Sequence, residues 1–130
     1  MLAAAGVGAA VAATLNSIAQ IHRAKGELDA AEPLYRDALA LARELEDSEG
    51  VSIGLLNLAM VSIELGELAA IPAMLREVIA IAAETGSQVT TQCALDVCAG
   101  LAAARGDAAA AARFLEHGEA LSREMGIRRD

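Results

Sequence analysis

Few side chains in this chain could do chemistry: His22 and His117, Cys93 and Cys98, and an acidic run at Glu44, Glu46, Asp47 and Glu49. A hydrolytic or transfer site needs a nucleophile, a base within hydrogen-bond reach of it and a third group to orient that base. Neither histidine has such companions nearby in the sequence, and the two fall in different segments on opposite helices of their pairs. A metal site needs three or four His, Cys or carboxylate ligands at short spacing, which Cys93 and Cys98 do not provide. Standing five apart in a predicted helix, the cysteines point to different sides of it, which disfavours a bridge between them. They read as two small buried hydrophobes in a reducing cytoplasm. The acidic run lies at helix ends and turns, where charge is ordinarily solvated. The GVG at residues 6–8 has neither the following Lys nor the preceding strand of a phosphate loop. These residues point away from an enzyme, and no cofactor or metal is implied.

Composition narrows the partners as well. The chain has 130 residues, 55% hydrophobic and 2% aromatic, with a formal charge of −8. That length supports one modest domain. About a quarter of the residues are alanine, which loses least entropy in a helix, so an all-α domain follows. The ten Lys and Arg residues form no run longer than Arg128-Arg129. Direct nucleic-acid binding needs a basic face that releases counterions, and this chain offers none. The opening stretch MLAAAGVGAAVAATL has no Lys or Arg before Arg23, unlike a secretory signal. Asn16, Ser17 and Gln20 interrupt it before the length of a membrane span is reached. It reads as a repeat helix behind a short leader.

What positions the side chains is a repeat. Gly26, Gly66 and Gly106 stand forty residues apart, each at the centre of a similar phrase: AQIHRAKGELDAAEPLY, AMVSIELGELAAIPAML and AGLAAARGDAAAAARFL. A period of this size marks stacked units. Before each glycine the columns Leu15/Leu55/Leu95, Ile18/Leu58/Cys98 and Ala19/Ala59/Ala99 are apolar or small at helical spacing. After it come Leu28/Leu68/Ala108, Ala31/Ile71/Ala111, Tyr35/Leu75/Leu115 and Ala38/Val78/Gly118. Each glycine suits a left-handed helix end, and the acidic residue beside it (Glu27, Glu67 or Asp107) favours the positive end of the next helix. Asp29 with Glu32 reads as a capping pair, and Pro33 and Pro72 read as first-turn prolines. The spacing predicts helices at 8–25, 28–45, 48–65, 68–85, 88–105 and 108–125, paired antiparallel, with turns near 47–50, 86–87 and at Gly126. One domain spans 1–130, with units at 8–45, 48–85 and 88–125.

These columns resemble the tetratricopeptide repeat, whose helix-turn-helix unit carries a large apolar residue, a small one, the turn glycine, an alanine, a large residue and a small one. In the first unit the matching residues are Leu15, Ala19, Gly26, Ala31, Tyr35 and Ala38. The second offers Leu55, Ala59, Gly66, Ile71, Leu75 and Val78, and the third Leu95, Ala99, Gly106, Ala111, Leu115 and Gly118. No unit has the family's aromatic in the first column, the closing proline is absent, and Ile71 and Val78 enlarge two small columns, which points to looser packing in the second unit. The period of forty is similar to the long-repeat arrays of bacterial LuxR-type transcription regulators and signal-transduction ATPases.

The resemblance implies a right-handed superhelix, an α-solenoid of three helix pairs that binds partners noncovalently on a concave face lined by the first helix of each pair. By the family's pattern that face is Asn16, Gln20 and Arg23, then Leu56, Met60 and Ile63, then Asp96, Gly100 and Ala103. A polar end, an apolar middle and a small-residue end would form a groove for a protein or peptide segment; the same middle residues also fit plain packing between units. A regulatory or signalling role in a bacterium follows from the parallel, with a small-molecule effector sensor as the alternative. Residues 1–10 align with 41–50, as in a piece of a longer array or a short protein with exposed end faces. The last helix has polar faces through Arg113, Glu116, His117, Glu119, Ser122 and Arg123. The first does not, which points to a homodimer through Val7, Val11 and their neighbours.

Overall fold

The computed structural model describes residues 2–124, and the side chains of 6–121, 123 and 124. The turn expected at Gly126, the Arg128-Arg129 pair and the side chain of Ser122 lie outside the described residues. Six helices follow one another: α1 (Leu2–Ala24), α2 (Leu28–Glu44), α3 (Ser48–Leu65), α4 (Ile71–Thr85), α5 (Gln88–Ala104) and α6 (Ala108–Glu124). The described residues contain no strand, so the all-α solenoid read from the columns is the fold.

The turn glycines have the conformation their column requires. Gly26, Gly66 and Gly106 sit at φ 78°, 78° and 79°, in the left-handed region where a Cβ is penalised. Each closes its helix with the same two bonds. Gly26 N–H donates to Arg23 O and Glu27 N–H to His22 O, as Gly66 and Glu67 do to Ile63 and Ser62, and Gly106 and Asp107 to Ala103 and Ala102. Glu46 closes α2 in the same way at φ 53° without being glycine.

Other boundary expectations need correction. Helix α1 begins at Leu2, so the leader is helical. Helix α4 begins at Ile71, because residues 67–70 form a turn, Ala70 has no side chain to cap with, and Pro72 occupies the first helical turn. Pro33 lies inside α2, beyond its first turn. Asp29 and Glu32 make no cap: the cap position is Glu27, which gives no side-chain bond to the helix, and Glu32 reaches Arg36 instead. The side-chain caps come from Asp47 on Gly50 N–H, Ser87 on Thr90 N–H and Asp107 on Ala110 N–H.

Each helix packs on the next in the chain, and the odd-numbered helices also touch one another, α1 with α3 and α3 with α5. Two apolar clusters result. Ala19, Ala31 and Tyr35 meet Leu58 and Val61, and Leu55, Ile71, Leu75 and Val78 meet Ala94, Val97 and Leu101. Ile71 and Val78, the enlarged columns, are completely buried. The periodicity fails at the outer edge: Leu115, in the column of buried Tyr35 and Leu75, is exposed, as is Ile18 in the column of buried Leu58. Helix α3 is long and apolar enough to cross a membrane. Here it is the central helix, in contact with α1, α2, α4 and α5, which accounts for that apolarity.

Candidate functional site

Because α1, α3 and α5 lie side by side, their shared face is the surface on which the nine candidate residues can meet. On α1, Gln20 is exposed, and Asn16 and Arg23 are half-buried; the Asn16 Oδ1 is enclosed with no hydrogen bond. Leu56, Met60 and Ile63 on α3 are half-buried and rest against the second apolar cluster. Asp96 and Gly100 on α5 are half-buried, and Ala103 is exposed. Helices α3 and α5 approach closely here: a methyl group at Gly100 would lie 3.4 Å from Ile63 Cδ1. Packing and surface exposure therefore coexist in the middle row, whose side chains reach both the core and the face.

The polar end is organised by a residue the sequence reading missed. Arg23 bonds Glu64 on the neighbouring α3, with Nη2 at 2.8 Å and Nε at 2.9 Å from Oε1. The bond raises the already high pKa of the guanidinium, against the opposing effect of burial. Beneath it the buried Tyr35 hydroxyl has no hydrogen bond. Burial pushes this phenol up, and the Arg23 charge partly offsets that. Gln20, Arg23, Ala24 and Glu64 line a shallow cleft of about 490 Å³. The signal for Glu64 was present in the numbering, since it stands one period plus one residue after Arg23.

The residues first considered for chemistry do not assemble. His22 is half-buried, with Nδ1 3.2 Å from Glu27 Oε1, while His117 is exposed on α6. Cys93 is exposed, contrary to its expected burial, because its position on α5 turns outward. Cys98 is half-buried, and burial raises its thiol pKa. No disulfide joins them. Among the described residues no three His, Cys, Asp or Glu side chains come together as a metal site.

With six helices linked by left-handed turns in a forty-residue register, the decisive comparison is with family patterns. A model of the tetratricopeptide repeat matches residues 10–84. The chain belongs to the tetratricopeptide-repeat family. No curated protein and no solved structure matches it. The matched stretch begins within α1 and runs through α2 and α3 and nearly all of α4, so the third tetratricopeptide unit rests on its register with the first two. Tetratricopeptide repeats generally act as scaffolds for protein–protein interaction and typically carry no catalytic machinery. The face shared by α1, α3 and α5 is thus the candidate for partner contact in this tetratricopeptide array.

Proposed function

We propose that this array binds a protein or peptide segment along the α1, α3 and α5 face, as a noncatalytic scaffold in the cytoplasm of a bacterium, within a regulatory or signalling system. The observation that carries the reading is the row Leu56, Met60 and Ile63, half-buried on the central helix between a charged end at Arg23 and Glu64 and the close approach at Gly100. An apolar strip with a polar boundary suits an amphipathic helix or an extended segment with apolar anchors, and methionine adapts to such partners. The forty-residue register supports the regulatory context. The acidic charge supports a partner other than nucleic acid.

The test is a thermal-shift screen of the 130-residue chain against amphipathic and extended peptides, and against small metabolites. Stabilisation by a peptide, lost in Met60→Glu while the helical circular dichroism is kept, is the expected result. Stabilisation by metabolites alone would replace this reading with an effector sensor. Unfolding of Met60→Glu, with binding retained in Gln20→Ala and Arg23→Ala, would assign the row to packing.

A further inference from the structure

The outward faces of the two terminal helices match as the inner faces do. In the forty-residue register Val11, Ile18 and Ile21 of α1 correspond to Val51, Leu58 and Val61 of α3. The α1 residues are 46, 40 and 58% exposed, and their α3 counterparts at most 7%. What covers the α3 residues is α2, whose Tyr35 shares a core cluster with Leu58 and Val61. Among the described residues, helix α1 thus presents, uncovered, the surface that in the next unit receives a preceding second helix. A cleft of about 300 Å³ along Val7, Ala10, Val11, Thr14 and Leu15 marks part of it. At the other end, Leu115 of α6 stands in the Tyr35 column and is 44% exposed.

Charge follows the same register. The ion pair Arg43–Glu77 joins α2 to α4. Moved to the ends of the array, its arginine position is Arg123 on α6 and its carboxylate position is Asp37 on α2, both exposed. The tight apolar contact of Leu39 on Gly54 becomes Glu119 against Thr14, a carboxylate facing a hydroxyl. Thr14 is bulkier than Gly54, so two units meeting there would sit farther apart than α2 and α3 do.

We infer that copies of this chain associate head to tail, with Leu115 of one copy seated on Ile18 and Ile21 of the next and Arg123 paired with Asp37. The two faces differ, so the contact is heterologous and each added copy leaves a new end open. This contact is separate from the α1, α3 and α5 face and does not rest on its function.

Sedimentation velocity of the full chain, from about 1 to about 100 µM, reads the association directly. The average mass of the native chain rises with concentration. Ile18→Glu and Leu115→Glu, at exposed positions and checked for helical circular dichroism, are each monomeric alone, and their mixture forms a dimer that grows no further. Asp37→Arg weakens association severalfold, and adding Arg123→Asp in the same chain restores it. A native chain that stays monomeric at the highest concentration overturns the inference. So does a dimer that Ile18→Glu abolishes and Leu115→Glu leaves intact, which would mean α1 pairing with α1.

Discussion

Arg43 grips Glu77 at two points, Nη1 to Oε2 at 2.7 Å and Nη2 to Oε1 at 2.9 Å, and so ties α2 to α4. Among the described residues the backbones of these helices make no close approach of their own. The pair is the clamp between the outer helices of the first two units.

Its contribution depends on pH in a definite direction. The Arg43 bond holds the Glu77 carboxyl below its ordinary value of 4.5. A depressed folded-state pKa means that the unfolded chain binds more protons in acid, so the stabilisation is full above the unfolded value and disappears as pH falls through the folded one. Both side chains are more than a third exposed, and screening limits the effect to about 0.5 kcal/mol at neutral pH. Urea denaturation should show Glu77→Gln weaker than the native chain by that amount at pH 7, with the gap closing as pH falls below the ordinary carboxyl range and in high salt.

Glu46 occupies a left-handed turn at φ 53°, where the helix ends at Gly26, Gly66, Gly86 and Gly106 use glycine. Glu46→Gly should raise stability by about 0.5–1 kcal/mol, the relief of the Cβ clash outweighing the extra freedom of the unfolded chain. The converse change Gly66→Ala should lower it by about 1 kcal/mol. Paired urea midpoints with unchanged slopes would establish both.

Two mid-helix glycines should respond oppositely to alanine. At Gly54 a methyl group would come 3.0 Å from Leu39 Cβ and 3.3 Å from its Cα, a collision with α2 that only backbone movement relieves. Gly54→Ala should cost about 1–3 kcal/mol. At Gly100 the nearest atom is the end of Ile63 at ordinary contact distance, so Gly100→Ala should gain about 0.5–1 kcal/mol from helix propensity. Thermal melts of the two variants should move in opposite directions.

The parts of the fold legible in the sequence were those that recur. Gly26, Gly66 and Gly106 announce their turns because all three units require the same left-handed closure. What does not recur had to be seen in space. The clamp of Arg43 on Glu77 and the bond of Arg23 to Glu64 do not recur between the second and third units, where the same positions hold Ala83 with His117 and Ile63 with Ala104. The delayed start of α4 goes with Pro72, whose column holds Glu32 and Ala112 in the other units. Periodicity also assigns Leu115 to the core with Tyr35 and Leu75, although burial there requires a neighbouring helix beside α6, and none stands there among the described residues. Among the candidate face residues, Leu56, Met60 and Ile63 came from the resemblance to the family's pattern, and their division between core and surface depends on how closely α5 approaches at Gly100.

Among the described residues, helix α3 touches four of the other five helices, whereas α6 touches α5 alone. The order in which this chain comes apart is therefore set. The outer helices can peel away while the centre keeps its neighbours, and amides at either end exchange with solvent through such partial openings. Those of α3 are released only when the whole array melts, so the slowest-exchanging amides of the molecule are a direct reading of its global stability.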